Sequence, residues 1–296
     1  MNVGLEPIEF LTTKEVAELL RIKERKLYDL VSAQEIPCVK ATGKLLFPKA
    51  ELMHWIRTGE IIAANVPPAT RPNVISGSHD PLLEWTIRES GCGLAMQFDG
   101  SLSGLDVFEK QGAAATGLHV LNPNTQAWNT HVIQTRFAKS NVVLVNWATR
   151  QQGLIVGKGN PKNVRGVSDL AKLKVATRQA GAGGMILFEH LLQEQNLDLK
   201  QLHISETCRT ENDTIAAVAS GHADAAPGLQ ALAMQFGLGF VPTRTEQFDL
   251  MVCRKVWFDT PFQTLIKFTD TAAFKSKAMQ FEGYDTTSLG KVIWNA

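Results

Sequence analysis

The chain has 296 residues, 44% of them hydrophobic and 20% charged, with a net charge of +1. That length allows two or three domains, and the balance is that of an ordinary globular protein. It excludes a global electrostatic pull toward nucleic acid or membrane, so any basic surface must be local. Cys38, Cys92, Cys208 and Cys253 are far apart and form no CxxC pair. This argues against a zinc ribbon and a disulfide scaffold and fits reduced thiols in a cytoplasm. The start, MNVGLEPIEFLTTKEV, has neither the basic n-region nor the apolar h-region of a signal peptide. No run reaches the roughly 18 apolar residues of a membrane span. The expectation is a cytoplasmic protein with no membrane partner.

FLTTKEVAELLRIKERKLYDLV reads as two short helices. Thr12 fits an N-cap, with Glu15 three residues on as the capping-box partner and Leu11 and Val16 as a hydrophobic staple. Val16, Leu19 and Leu20 make one apolar face, and Leu27, Leu30 and Val31 the next. Small Ala17 lets the helices cross closely. In EIPCVKATGKLLFPKAELMHWI, two short strands flank ATGK, a hairpin signal. Pro48 suits the first position of a third helix, packed back through Leu52, Trp55 and Ile56. Helix, turn, helix, wing, helix is the order of a winged DNA-binding module.

Charge supports this locally. Residues 1–60 hold nine basic and nine acidic residues, whereas residues 20–49 hold seven basic and three acidic ones. The basic residues therefore gather on the second helix and the wing, where groove and phosphate contacts belong. Lys23, Arg25, Lys26 and Tyr28 are the candidate contacts on the helix, with Lys40 and Lys44 on the wing. The stretch resembles the excisionase and MerR-type winged helices over about its first 57 residues. It departs from them where Lys23 or Glu24 stands in place of a Ser or Thr cap on the recognition helix.

GEIIAANVPPATRPNV has three prolines and little periodicity, and reads as a semi-stiff linker over residues 61–73. Beyond it strands alternate with helices, the sign of a parallel sheet. A strand at Asn73–Ile75 runs into a Gly-Ser turn and a helix whose buried face is Leu82, Leu83 and Ile87. AMQFDGSLSGLDVFEK repeats this plan, GLHVL follows as a strand, and KVATRQAGAGGMILFEHLL and ETCRTENDTIAAVASGHADAAPG repeat it twice more. Four strand-to-helix turns are thus rich in Gly, Ser or Thr. Helix N-termini carry unpaired N–H groups and partial positive charge, so several such turns converging make an anion site. The glycine run is not a nucleotide loop: RQAGAGGMI lacks the GxxxxGK[ST] spacing and the dinucleotide fingerprint.

SGSHDPLL, GSLSGLDVF, GLHVLNP, QGLIVGKGNPK, RQAGAG, AAVASGHADAAPGL and FDLMV follow in this order over residues 76–252. Together they resemble the cytoplasmic periplasmic-binding-protein-like domain linked with molybdate and tungstate sensing. The resemblance implies a small winged helix-turn-helix (1–60) joined to a two-lobed type II α/β domain (74–296). Leu154–Val156 would lead outward and Phe248–Val252 return, with residues 159–247 as the inserted lobe. It places Ser78 and Ser101 on hydroxyl-bearing turns of the first lobe, with Ser103 and His119 beside them. Arg178, Gly181, Ala182 and Gly183 form the cradle of the second. Family members commonly continue that cradle as Gly-Thr-Arg. Here Gly183, Gly184 and Met185 stand there, one hydroxyl and one cation fewer, which can shift selectivity to another anion or a small organic acid.

No acid, base or nucleophile stands out. Asp80 fits the cap of the helix that Pro81 begins better than a catalytic partner for His79. His119 suits either a core histidine or a cleft donor. Cys92 fits a buried small hydrophobe, and the seven histidines show no metal spacing. The expectation is a transcription regulator, not an enzyme, with no metal or cofactor. It would bind double-stranded DNA as a homodimer and respond to a small anion, molybdate or tungstate first. The alternative is an anion-binding or scavenging protein of molybdenum-cofactor metabolism whose N-terminal module binds a protein.

Overall fold

Thr12 opens the first helix through a complete capping box: its hydroxyl accepts from the Glu15 amide, and its own amide donates to the Glu15 carboxylate at 2.7 Å. The structure, a computed structural model, describes residues 9–33, 35–41, 43–59 and 71–295. The chain divides into two units, Met1–Thr70 and Arg71–Ala296.

The first unit runs β1 (Phe10–Thr12), α1 (Thr13–Leu20), α2 (Glu24–Ser32), β2 (Val39–Ala41), β3 (Lys44–Pro48) and α3 (Lys49–Thr58). Val16, Ala17, Leu27, Phe47 and Leu52 form its core. Strand β1, which shows no alternation in the sequence, is recruited by pairing with β3, giving the sheet order β1-β3-β2. Pro48 ends β3 and is the cap of α3 rather than its first residue. Ile56 is 43% exposed, so of the three expected contacts it is Leu52 and Trp55 that hold α3 to the core. The predicted linker lies outside the described residues except at 71–73. There Arg71 is already docked in the second unit, donating to the Phe108 and Ala113 carbonyls at 2.6 and 2.8 Å over the Phe108 ring.

The second unit begins with β4 (Val74–Gly77), α4 (Pro81–Ser90), β5 (Ala95–Gln97), α5 (Ser101–Glu109), β6 (Ala115–Leu118) and α6 (Thr130–Phe137). A long strand, β7 (Val142–Val156), leads to β8 (Lys174–Arg178), α7 (Gly183–Glu194), β9 (His203–Cys208), α8 (Glu211–Ala219), β10 (Ala225–Leu229) and α9 (Gln230–Gln235). A second long strand, β11 (Gly239–Cys253), returns, followed by α10 (Arg254–Trp257), α11 (Thr260–Phe268), α12 (Ala272–Met279), β12 (Tyr284–Asp285) and β13 (Val292–Asn295). The sheet order is β5-β4-β6-β11-β7-β10-β8-β9, with β12 and β13 on β7. The antiparallel β7–β11 pair therefore runs through both lobes. The first lobe buries Ile75, Leu82, Trp147 and Phe248 against Phe262 and Phe274 of the C-terminal helices. The second is built around Val175, Met185, Phe188 and Leu192 on one side and Ile155, Ile215 and Ala226 on another.

Helix α5 lies unusually close to the first-lobe sheet. A Cβ on Gly104 would sit 2.2 Å from the Gly77 Cα and 2.5 Å from the Thr116 hydroxyl, so only glycine fits. This approach brings the start of α5 to the carboxyl ends of β4 and β6, where open α/β sheets bind their ligands.

Where the long strands pass between lobes they bury a charged network. Arg150 of β7 donates to Asp80 at 2.9 Å and to Glu246 of β11, and lies 4.3 Å over the Phe248 ring. Asp80 also accepts from the Leu83 amide, the Trp147 indole and the Tyr284 hydroxyl at 2.6, 3.0 and 2.7 Å. Glu246 also accepts from His119 Nδ1 at 2.7 Å and Gln152 at 3.2 Å. Burial alone would raise the Glu246 carboxyl; Arg150 and His119 outweigh it and bring it from 4.5 down to about 2. Burial and the adjacent Asp80 push the Tyr284 phenol well up, keeping it a donor.

Two outcomes are expected. Gly104→Ala lowers stability by about 1–3 kcal/mol or more, because backbone rather than a movable side chain blocks the methyl; urea unfolding measures it. Folding favours ionised Glu246, a contribution complete above about pH 4.5 and lost as pH falls toward about 2. Glu246→Gln therefore costs about 3 kcal/mol at neutral pH, and the gap from wild type closes across that acid window in unfolding curves taken at successive pH values.

Candidate functional site

In the first unit, a groove of about 710 Å3 lies between α2 and the β2–β3 hairpin, lined by Tyr28 on the helix, Lys40 and Lys44 on the wing, and Lys14 at the start of α1. Tyr28 is 48% exposed, and Lys23, Arg25 and Lys26 are exposed as well. Arg25 precedes Tyr28 by three residues and shares its helix face, whereas Lys26 falls on another flank. Lys23 caps α2 by position only, with no side-chain bond to the helix amides. The structure thus gathers Tyr28, Lys40 and Lys44 around one groove and adds Lys14, which the sequence reading did not single out.

In the second unit the four Gly/Ser/Thr-rich turns are not equivalent. Asp80 caps α4, accepting from Leu83, with Pro81 at the first position. Thr210 caps α8 through a capping box with Asp213. Those two helix starts satisfy themselves. Helices α5 and α7, with Gly100 and Ala182 as caps, receive no side-chain cap. They meet: a Cβ on Gly100 would stand 3.5 Å from the Ala182 Cα and 3.6 Å from the Gly181 carbonyl. Gly181 itself has a φ of +82°, the left-handed conformation that lets the chain turn into α7. Two helix starts from different lobes thus pack side by side, and each carries the partial positive charge that favours an anion nearby.

The lobes touch beside that contact as well. A Cβ on Gly183 would lie 2.5 Å from the His119 carbonyl and 2.7 Å from its Nε2. His119 is buried; its amide donates to the Ser101 hydroxyl at 3.2 Å and its Nδ1 to Glu246. The Ser78 and Ser101 hydroxyls bond one another at 2.8 Å. Ser78, Ser101, His119 and Gly183 are therefore brought together, yet their side-chain hydroxyls already have partners. Ser103 is exposed on α5 and lies outside this cluster.

The open space lies to one side, a cavity of about 180 Å3. The first lobe contributes His79, Glu84, Phe98 and Gly100, and the second Arg178, Arg209, Thr210 and Asn212. The Arg178 side chain is only 7% exposed. Glu211 and the Arg209 carbonyl pin its terminal nitrogens, and its Nε has no partner. His79 donates or accepts at Nε2 with Glu84 at 2.6 Å, and its Nδ1 is unpartnered. Glu84 is held from its other oxygen by Arg88 at 2.5 Å.

Sequence reasoning missed Arg150, Glu246 and Tyr284 and, in the cavity, Phe98, Arg209 and Asn212. Arg150 carried a signal: it is the one charged residue in the otherwise strand-like run VVLVNWATRQQGLIV, and a charge there needs a buried partner. The others are set by tertiary approach and have no local pattern. Among the described residues, no group of three or more His, Cys, Asp or Glu could hold a metal ion, and no helix is long and apolar enough to cross a membrane.

Comparison with known proteins accords with this geometry. A helix-turn-helix domain family matches residues 10–60, and the PBP superfamily domain matches residues 84–270. The chain is 28% identical over 303 aligned positions to "Uncharacterized protein YvgK" of Bacillus subtilis (strain 168), covering 95% of this chain and 97% of that one. Its fold is similar to that of a putative phosphate ABC transporter substrate-binding protein with bound phosphate from Clostridium perfringens, with a TM-score of 0.53 at 12% identity, covering 72% of this chain and 98% of that one. It is also similar to PhnD1 from Prochlorococcus marinus (MIT 9301) in complex with methylphosphonate, with a TM-score of 0.50 at 11% identity, covering 73% and 92%. Carrying that domain over most of its length behind an N-terminal helix-turn-helix domain, the chain belongs to the PBP superfamily.

Proposed function

We propose that this protein is a ligand-responsive transcription regulator. Its helix-turn-helix unit binds double-stranded DNA through Arg25, Tyr28, Lys40 and Lys44, as a homodimer on two half-sites. Its interlobe cleft binds a small oxyanion. The observation that carries the sensing half is the meeting of two uncapped helix N-termini, of α5 and α7, beside the buried Arg178. Neutral N–H donors and one internally compensated guanidinium suit an oxyanion without demanding a hydroxyl at Met185. The bound phosphate and methylphosphonate of the two similar structures support an oxyanion. Molybdate and tungstate remain the inorganic candidates that the sequence resemblance puts first. An effector that prefers the closed lobes shifts the protein toward them and so changes its DNA affinity, by no more than that preference.

Calorimetric titration of the full chain with molybdate, tungstate, sulfate and phosphate tests the cleft. Gly183→Ala is expected to weaken anion binding by about tenfold or more, since its methyl meets the His119 carbonyl and keeps the lobes from closing. Gly184→Ala, whose methyl would lie 3.9 Å from its nearest neighbour, should bind as wild type does. Equal behaviour of the two variants would remove closure from the mechanism.

For DNA, the probe is a duplex selected from a random pool by the full-length protein. Arg25→Ala should weaken binding by about tenfold, and Lys44→Ala should reduce the slope of log affinity against log salt by about 1. Anisotropy titrations at several salt concentrations read both, and unchanged affinity in Arg25→Ala would count against the recognition helix assigned here.

A further inference from the structure

The cleft cavity has chemically different walls. The second lobe brings Arg178, nine-tenths buried with an unpartnered Nε, and the exposed Arg209, which joins no ion pair among the described residues. The first lobe brings the uncapped start of α5 at Gly100 and the Phe98 and His79 rings, packed edge to face with centroids 5.7 Å apart. A cavity for a bare inorganic ion needs donors on every side. An aromatic wall offers such an ion nothing, whereas carbon laid against it is removed from water.

Size points the same way. The cavity, at about 180 Å3, is several times the roughly 10–15 Å3 that admits one water. A tetrahedral oxyanion has only five covalently bonded heavy atoms, so one held by the arginines leaves room beside the aromatic wall. Glu84 sets a further limit. Its carboxylate lines the same wall as His79 and Phe98, tied to His79 and Arg88, and a second negative group on the ligand brought to that wall would meet it with no new cation.

We propose, building on the anion-binding cleft above, that its ligand is a small organic anion: one acidic group at the α5 N-terminus, Arg178 and Arg209, joined to a short carbon skeleton lying on Phe98 and His79. The acidic group can be a phosphonate or a carboxylate, because both present oxygens to N–H donors; the shared requirement is a single charged head and an apolar or hydroxylated tail. Phe98 is then the residue that separates organic from inorganic anions, and Glu84 the one that rejects a second acidic group.

Calorimetry of the full chain distinguishes these features. The probes are inorganic phosphate and molybdate, propylphosphonate and lactate as single-headed organic anions, and succinate as a two-headed one. The expected result is that propylphosphonate or lactate binds about tenfold or more tightly than either inorganic ion, and that succinate is weaker than lactate. Which of the first two is tighter identifies the head group. Phe98→Ala should lower the affinity of the organic probe about tenfold and leave that of the inorganic ions unchanged. Phe98→Leu, which preserves bulk against the first-lobe core, should lie between, and Arg209→Ala, at an exposed position, should weaken every probe. An inorganic ion binding as tightly as the organic probes, or a Phe98 effect equal on both, would overturn the proposal while leaving an oxyanion-sensing cleft. Silence of all five probes would overturn the anion-binding cleft itself, and this proposal with it.

Discussion

Arg150 is a guanidinium sealed inside the second unit, and much of the architecture answers to it. Removing such a charge from water costs several kcal/mol unless it is paired and hydrogen-bonded. Here two carboxylates and an aromatic face meet it, and together with Arg150 they join three parts of the chain. Asp80 belongs to the cap of α4, Glu246 and Phe248 to β11, and Arg150 itself to β7. Tyr284 adds the C-terminal segment through Asp80. If β7 slipped against β11 by one residue, Arg150 and Glu246 would turn to opposite faces of the sheet and lose one another. The pair thus fixes the register of the two strands where they cross between lobes, and a wrong register leaves a buried charge without a partner.

The same network reaches the cleft. Glu246 holds His119, whose amide donates to the Ser101 hydroxyl at the start of α5 and whose carbonyl stands against Gly183 at the start of α7. The point where the two helices meet is therefore braced from the buried β7–β11 crossing, not from the surface. Among the four strand-to-helix turns, capping decides which can serve a ligand. Asp80 and Thr210 spend their side chains on their own helices, while Gly100 and Ala182 have none to spend. In the proposed cleft, an incoming anion would supply what those two helices lack.

How much of this was legible in the sequence follows from the range of each interaction. The capping box at Thr12, the cap at Asp80 and the alternation of strands and helices depend on residues a few positions apart, and they were read directly. Strand β1 was not, because three residues without alternation become a strand only when β3 lies beside them. Ile56 has the spacing of a core residue, but three helical turns are more than this small core can cover. The four turns looked alike because Gly, Ser and Thr mark both a cap and an anion cradle; only the bond each side chain makes separates the two. Phe98 and Arg209 are 111 positions apart in the chain, and nothing local in either announces a shared cavity.

In the proposed sensor, closure and sensing are linked through how little room the interlobe contact leaves. Gly183 meets His119 with no space for a single methyl, so this approach of the two lobes needs a position without a side chain. The cavity beside it is walled by both lobes, with His79 and Phe98 on one and Arg178 and Arg209 on the other. A ligand touching both walls binds the closed state more tightly than the open one, because in the open state it keeps only one set of contacts. That difference in affinity is all the free energy available to move the equilibrium. A cavity whose two walls differ in chemistry raises it for a ligand that spans them, and for a ligand that satisfies only the cationic wall it falls short. The selectivity of the cleft and the strength of the response thus have one physical origin.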